Sequence, residues 1–338
     1  MLNYIPFPEW LHPEIIPGLP IRWYGFMYLV AFAIAYLLFI YQVKEQKLNI
    51  KQDEIVNLFF WGIIGLLLGA RLLATLLYDT TGRYLRNPLL IFWPFDESFQ
   101  YVGLQGMSYH GGLLGAVIAV IIYCAVKKID VLQWGDMLFA GIPLGYTFGR
   151  IGNFINGELY GRVATVPWGM VFPGAERFPA GEKWVQEIAG KAGLTITDMT
   201  QMVNLPRHPS QLYEAFFEGI FLWLILWFIL RKRKTFKGFI MGMYVIGYGI
   251  VRFFIEYVRE PDIGIGFPIK FVNIPNPTYL FITPWNFSTG QILCFMMIVG
   301  GVVFLLIRGR LVKRQAFHQQ AILSEKKINF RKLRKKIK

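Results

Sequence analysis

A short stretch at the end of one apolar run concentrates side chains that form hydrogen bonds. Residues 149–161 read GRIGNFINGELYG and contain one arginine, two asparagines, one glutamate and four glycines. An arginine guanidinium presents a planar fork of donors that matches phosphate oxygens. The stretch therefore predicts an oxyanion site at the rim of an apolar segment, with glycines that allow close approach and positive φ where a helix ends.

Polar residues also occur at or near the ends of other apolar runs. Arg252 and Glu256 are spaced i,i+4, which predicts an ion pair on one helix face. The other members of this set are Tyr24, Arg71, His110, His208, Gln211, Glu214 and Arg259.

The apolar runs are long enough to cross a bilayer. The 338-residue chain is 55% hydrophobic and only 17% charged, whereas soluble chains carry about a quarter charged residues. A bilayer core of about 30 Å requires about 20 apolar residues in a helix. The sequence predicts an all-α integral membrane protein with seven transmembrane helices, over residues 23–41, 55–78, 109–126, 131–149, 212–230, 238–258 and 289–307.

Basic residues predict the orientation of these helices. Lysines and arginines concentrate in the loops after spans one, three and five and in the tail after span seven. The positive-inside rule then puts the N-terminus outside and the C-terminus in the cytoplasm, with the polar set at the outer leaflet. Asp136 lies at the inner end of span four, where we expect it to pair with a cytoplasmic basic residue or with the region of Trp134.

This topology divides the chain into a membrane domain, a cap inserted in it, and a tail. Residues 1–307 form the seven-span domain, and residues 162–206 form a small extracytoplasmic cap that either gates a substrate or serves as a structural lid. Residues 308–338 form a basic cytoplasmic tail, which either binds anionic headgroups or is disordered. No basic face on a folded domain is evident, so we expect no nucleic-acid partner.

Charged groups at membrane depth usually face the protein interior and mark function. One interpretation of the polar set is a structural ion-pair network; the other, which we favour, is an anion site in which the arginines lack enough adjacent acids. Glu158, Glu214 and Glu256 are separated by arginines along the chain, which argues against a metal ion held by several carboxylates. A phospholipid headgroup is the phosphate most available at this depth.

Five segments, in order, resemble the motifs of bacterial prolipoprotein diacylglyceryl transferases. Besides GRIGNFINGELYG, they are WYG at 23–25, YHGGLLG at 109–115, RHPSQLYE at 207–214 and GYGIVRFFIEYVREPD at 247–262. Seven spans with an outside N-terminus also match that family. The resemblance covers essentially the whole chain except the tail and parts of the outer loops, and five ordered motifs are far more specific than any one of them.

The resemblance implies a multi-pass transferase of the bacterial cytoplasmic (inner) membrane that needs no cofactor and acts at the outer face. Such an enzyme moves diacylglycerol from phosphatidylglycerol to the lipobox cysteine thiol of a prolipoprotein signal peptide and releases glycerol phosphate, the first step of lipoprotein maturation. The catalytic positions that it implies are Tyr24, His110, Arg150 and Arg252. The implied substrate-binding positions are Asn153, Glu158, Gly161, His208, Glu214, Glu256 and Arg259, and no metal ligands are implied.

The chemistry of such a transfer fits these residue types. A thiol of pKa about 8.5 needs a base to ionise it, and His110 is our candidate, although a tyrosine lies at the same level. Arg150 and Arg252 would stabilise the charge that grows on the leaving phosphate. The alternative is a transporter or binding protein for anionic lipids. A transporter predicts polar groups through the full membrane thickness, whereas the inner half holds little besides Asp136.

Overall fold

The computed structural model describes residues 3–19, 21–79, 81–95, 99–100, 106–261, 266–273 and 278–336, with the backbone alone for residue 321 and residues 324–336. The described chain is mostly helical, and its paired strands are only two residues long. The helices are α1 Trp23–Glu45, α2 Gln52–Leu77, α3 Arg83–Arg86, α4 Tyr109–Lys127, α5 Val131–Ile155, α6 Lys183–Ala192, α7 Ser210–Arg233, α8 Phe239–Ile255 and α9 Thr289–Lys336, with a short 3-10 helix at Pro88–Ile91.

Within the described ranges, five helices are long and apolar enough to cross a membrane: α1, α2, α4, α7 and α9 as far as Gln320. The expectation of an all-α membrane protein is confirmed at that level. The sixth predicted span corresponds to α8, which is apolar but has 17 residues. The fourth corresponds to α5, which contains Asp136, Pro143 and Arg150. The number seven and the orientation stay predictions.

The chain divides into two compact units, residues 36–135 and residues 1–35 with 136–338. In the first unit, α2 and α4 pack through glycines. A Cβ on Gly69 would lie 2.3 Å from the carbonyl oxygen of Gly111, and one on Gly115 would lie 2.1 Å from that of Gly65. Such small-residue contacts let membrane helices approach closely. Gly111, directly after His110, therefore serves helix packing.

In the second unit, Asp136 ties α5 to the start of α8. Its carboxylate accepts hydrogen bonds from the backbone N–H groups of Gly238 (2.8 Å) and Met241 (3.0 Å) and lies 2.8 Å from the Lys234 ammonium. A carboxylate at a helix N-terminus satisfies free donors and meets the positive end of the helix dipole. The expected pairing of Asp136 with a nearby basic residue is thus confirmed.

Residues 162–206 form a small folded segment with its own apolar core. Strands β3 (Phe178–Pro179) and β4 (Met202–Val203) pair antiparallel, and α6 packs against them. The N-terminal strand β1 (Ile5–Pro6) pairs in parallel with β2 (Met170–Val171), so the start of the chain is fixed to this segment. The buried core consists of Val163, Phe178, Val185, Ala189 and Leu205.

The last helix is longer than a membrane span. α9 has 48 residues, or about 72 Å at 1.5 Å per residue, and it continues as far as Lys336. The structure therefore favours a helical tail over a disordered one for residues 308–336, while residues 337–338 lie outside the described part.

Candidate active site

The centre of the second unit holds a cluster of buried ionic side chains from three helices. Arg150 comes from α5, Glu214 from α7 and Arg252 from α8, and Arg259 follows α8. Glu214 is fully buried, and both of its oxygens face arginines. Its Oε2 lies 2.8 Å from Arg150 Nε and 3.0 Å from Arg252 Nη1, and its Oε1 lies 2.8 Å from Arg259 Nη1. One carboxylate therefore orients three guanidinium groups.

A second carboxylate, Glu256 at the end of α8, contacts two of these arginines and also the residue before α9. Glu256 Oε1 lies 2.7 Å from Arg252 Nη2, as the i,i+4 spacing predicts, and 3.4 Å from Arg259 Nε. Glu256 Oε2 accepts a hydrogen bond from Ser288 Oγ at 3.1 Å. Ser288 also accepts from the N–H of Gln291, whose side chain accepts from the N–H of Ser288. This reciprocal capping box starts α9.

A third buried carboxylate, Glu218, completes the cluster. It lies one turn after Glu214 on α7, and its Oε2 lies 2.5 Å from Tyr146 Oη. Its Oε1 lies 3.5 Å from Arg252 Nη1. The same Tyr146 hydroxyl accepts from Arg150 Nε at 2.6 Å. Tyr146 therefore connects α5 to α7 through one hydroxyl.

Both glutamates lie where α7 departs from regular α-helical geometry. Residues Glu214–Phe221 form π-helical turns, a conformation that is common at functional sites. Thr147 Oγ1 donates to the carbonyl oxygen of Ala215 at 3.2 Å. A Cβ on Gly219 would lie 2.0 Å from that hydroxyl oxygen, so only glycine leaves room for it.

A second series of contacts runs from Arg150 to the loop that follows α5. Arg150 Nη1 donates to Asn153 Oδ1 at 3.3 Å, and Asn153 Nδ2 donates to Glu158 Oε1 at 3.0 Å. Asn156 also donates to Glu158, at 3.2 Å. Glu158 is exposed, whereas Asn153 is buried. Asn153 thus orients the Nη1 side of the Arg150 guanidinium, and Glu158 holds Asn153.

The backbone after α5 is fixed by the start of α7. The carbonyl oxygens of Glu158 and Leu159 accept hydrogen bonds from Gln211 Nε2 (2.6 Å) and Ser210 Oγ (3.1 Å). Leu159 has φ 57°, in the left-handed region that side chains rarely adopt. These contacts hold it there, and they connect the GELYG and PSQLYE segments.

The glycines of the stretch 149–161 have different roles. The prediction that the helix ends near Gly149 is wrong, because α5 continues to Ile155, and only Gly157 has positive φ. Gly152 packs against α1, where a Cβ would lie 3.3 Å from the Tyr24 Cα. Gly161 lies against the chain after α8, where a Cβ would lie 2.2 Å from the carbonyl oxygen of Val258. Gly161 is thus a packing position.

His208 lies at the edge of the cap. Its Nδ1 is 3.3 Å from Tyr213 Oη, which accepts from Trp168 Nε1 at 2.7 Å. Burial and the nearby Arg162 charge lower the pKa of His208 to about 4. Burial likewise lowers the pKa of Arg162 to about 10. His208 is therefore neutral at physiological pH and offers a hydrogen bond rather than a positive charge.

Two of the predicted catalytic residues, Tyr24 and His110, are not joined to the ionic cluster by a described hydrogen bond, although Tyr24 packs against Gly152 of α5. The Tyr24 hydroxyl lies 3.0 Å from that of Tyr28. His110 has an exposed side chain in the first turn of α4, beside the Tyr109 ring at 5.7 Å between centroids. His110 belongs to the unit of residues 36–135, so its part in the site stays a prediction.

Arg71, which belonged to the predicted polar set, contacts the chain that follows α2. Its guanidinium donates to the carbonyl oxygens of Ile91, Gly106 and Leu90 and lies 5.2 Å from the centre of the Tyr84 ring. Arg71 therefore anchors the segment after α2 to that helix.

The expectation of arginines in excess of acids is wrong for this cluster. Arg150, Arg252 and Arg259 are matched by Glu214, Glu218 and Glu256, so two of the acids predicted to be separate, Glu214 and Glu256, contact the same arginines. Within the described part of the chain, no three His, Cys, Asp or Glu side chains are grouped so as to hold a metal ion. The arginine side chains are 13–17% exposed, whereas those of Glu214 and Glu218 are 0% exposed. The accessible side of the network is therefore cationic, which suits an oxyanion.

Sequence reasoning missed four residues of this network: Tyr146, Glu218, Ser288 and also Gly290, on which a Cβ would lie 2.7 Å from the Glu256 carboxylate carbon. A signal existed for Glu218, because it is a carboxylate in an apolar run one helical turn from Glu214. A signal also existed for Ser288, because STGQ at 288–291 has the spacing of a capping box. The sequence carries no comparable signal for Tyr146 or Gly290.

Comparisons with known proteins show the family of this chain. The family model described as prolipoprotein diacylglyceryl transferase matches residues 13–307. The chain is 51% identical to the phosphatidylglycerol–prolipoprotein diacylglyceryl transferase of Treponema denticola, over 97% of this chain and 99% of that protein. It is 48% identical to the protein of that name from Treponema pallidum, over 94% and 97%, and 42% identical to that of Chlorobaculum tepidum, over 88% and 90%. The chain belongs to the prolipoprotein diacylglyceryl transferase family.

Proposed function

We propose that this protein transfers the diacylglyceryl group of phosphatidylglycerol to the lipobox cysteine of a prolipoprotein signal peptide, forming a thioether and releasing glycerol phosphate. The observation that carries the proposal is the arrangement of Arg150 and Arg252 on the buried Glu214 carboxylate. Their partly exposed sides form a preorganised site for a phosphate at the end of apolar helices. The names of the relatives supply the substrates.

During the transfer, the phosphate that these arginines bind gains negative charge. The cysteine thiolate attacks the glycerol carbon that carries the phosphate oxygen, the carbon–oxygen bond breaks, and its electron pair stays with the phosphate. The phosphodiester becomes a monoester and gains negative charge. Donors that are already oriented toward the growing charge contribute a few kcal/mol each, because they need no reorganisation during the reaction.

The other residues act on substrate or on these arginines. His110 accepts the thiol proton, and Tyr24 is the second candidate for that role. Asn153 and Glu158, at the exposed end of the chain of contacts from Arg150, bind the headgroup hydroxyls. Three further positions, Glu214, Glu256 and Gly161, keep the arginines and the adjacent backbone in position. Arg259 and His208 line the side toward the cap.

The topology completes the proposal. Together with the five long apolar helices, α5 and α8 bring the number of spans to seven, with the N-terminus outside. The site then faces the extracytoplasmic side of the bacterial cytoplasmic membrane. Residues 1–307 are the catalytic domain, residues 162–206 cap the site, and the basic tail 308–338 lies in the cytoplasm.

A mass measurement tests the proposal. Purified protein is incubated with phosphatidylglycerol and a peptide that carries a lipobox cysteine, beside the same peptide with serine in its place. We expect a diacylglyceryl mass increment on the cysteine peptide alone. Absence of the increment from folded protein with both substrates present would overturn the transferase and favour transport or binding of anionic lipid.

A further inference from the structure

Glu218 has weaker ionic partners than the other two buried carboxylates of the cluster. Glu214 has three arginine nitrogens within 3.0 Å, and Glu256 has Arg252 at 2.7 Å. Among the described residues, the nearest cation to Glu218 is Arg252, whose Nη1 lies 3.5 Å from Glu218 Oε1 and thus beyond the usual 2.7–2.9 Å of a charge-assisted hydrogen bond. Its close partner is the neutral phenol of Tyr146.

A buried carboxylate without a close cation is costly to keep ionised. The ionised Glu214, one helical turn away, adds to that cost because like charges at i,i+4 repel. The other ionisable groups around Glu218 are Tyr146 and Arg150 on α5, Arg252 and Tyr248 on α8, and Cys294 on α9. Among the three carboxylates, Glu218 is therefore the one on which a proton costs least.

We propose that Glu218 carries a proton in the resting protein, so that the arginine cluster offers one net positive charge to the phosphodiester of the lipid. This inference rests on the proposed function. With all three glutamates ionised, Arg150, Arg252 and Arg259 are neutralised, and a phosphate gains no net attraction. With Glu218 neutral, the cluster has charge +1, opposite to that of a phosphodiester.

The hydrogen bonds of Tyr146 accommodate this proton. A phenol has one donor and accepts through its oxygen. Tyr146 Oη accepts from Arg150 Nε at 2.6 Å and lies 3.4 Å from Glu214 Oε2. A protonated Glu218 donates to Tyr146, which in turn donates to Glu214. Tyr146 is thus a positioning residue that keeps the Glu218 proton away from the arginines.

Infrared spectroscopy tests the protonation state directly. Protein in phosphatidylglycerol vesicles is compared with the Glu218→Gln variant at pH 7. We expect a band of a protonated carboxyl group that Glu218→Gln lacks and that Glu158→Gln, an exposed carboxylate, retains. A spectrum without such a band, in protein that turns over normally, would overturn the inference while leaving the proposed function intact.

Kinetics provide a second test. If Glu218 is protonated, glutamine reproduces its charge, so the ratio of kcat/KM for phosphatidylglycerol between Glu218→Gln and the parent increases as pH rises above 6. As pH rises, the parent loses affinity for the lipid through KM, whereas the variant does not. A loss of about 100-fold at every pH in folded Glu218→Gln would contradict the proposal. A protein that shows the band but no transfer would instead contradict the proposed function.

Discussion

Gly290 leaves the space that the Glu256 carboxylate occupies. A Cβ built on Gly290, in the first turn of α9, would lie 2.7 Å from the carboxylate carbon of Glu256. Because Glu256 holds Arg252 through two guanidinium nitrogens, the start of α9 determines the position of an arginine on α8.

Substitution of Gly290 by alanine should therefore impair transfer. The methyl group pushes the Glu256 carboxylate away and shifts Arg252 from the phosphate. A misplacement of about 1 Å can cost about 100-fold in rate, so we expect kcat to fall about 10- to 100-fold in the peptide mass assay. Gly300→Ala is the matched control, because nothing lies within 4 Å of a Cβ at that position of the same helix. Equal activity of the two variants would contradict the role of Gly290.

Gly161→Ala should act on stability. Its Cβ would lie 2.2 Å from a backbone carbonyl oxygen, that of Val258, which cannot move as a flexible side chain would. We expect about 3 kcal/mol of destabilisation, measured as earlier thermal unfolding in detergent. Gly174→Ala, whose Cβ meets nothing within 4 Å, provides the comparison. A Gly161→Ala protein that unfolds like the parent but no longer binds lipid would assign Gly161 to substrate instead.

The sequence predicted the family and the membrane class because these depend on local patterns. Five ordered motifs identified the family, which the match over residues 13–307 confirms. The Arg252–Glu256 pair was also predictable, since both residues lie on one helix at a fixed spacing. Helix ends were less predictable: α5 continues through GRIGNFI, and Gly152 in that segment packs against α1 rather than ending the helix.

The charge balance of the site was not predictable, because it depends on contacts between helices. Along the chain, Glu214 is distant from Arg150 and Arg252, yet all three meet in the fold. The π-helical part of α7 likewise meets a threonine of α5, which lies beside Gly219 and donates to the carbonyl oxygen of Ala215. No spacing within one helix indicates such a contact.

His208 should make stability depend on pH. Its folded-state pKa of about 4 lies below the ordinary 6.5, so the unfolded chain binds more protons between these values, and stability falls as pH decreases from about 6.5 to 4. We expect the unfolding temperature of the parent to decrease from pH 7 to pH 4.5 more than that of His208→Asn, which has no titrating group there. Identical decreases would show that His208 does not contribute.

Arg252→Lys should separate charge from geometry. Lysine keeps the positive charge but lacks the planar fork that contacts Glu256 and Glu214 while presenting donors to a phosphate. We expect kcat/KM for phosphatidylglycerol to fall about 100-fold, comparable to the loss of one preorganised donor. Inhibition by added glycerol phosphate should weaken in parallel, because the product binds the same donors. The exposed Arg177 provides the control, and Arg177→Lys should retain full activity. Full activity of Arg252→Lys would leave charge alone as the requirement and would contradict a bidentate phosphate contact at Arg252.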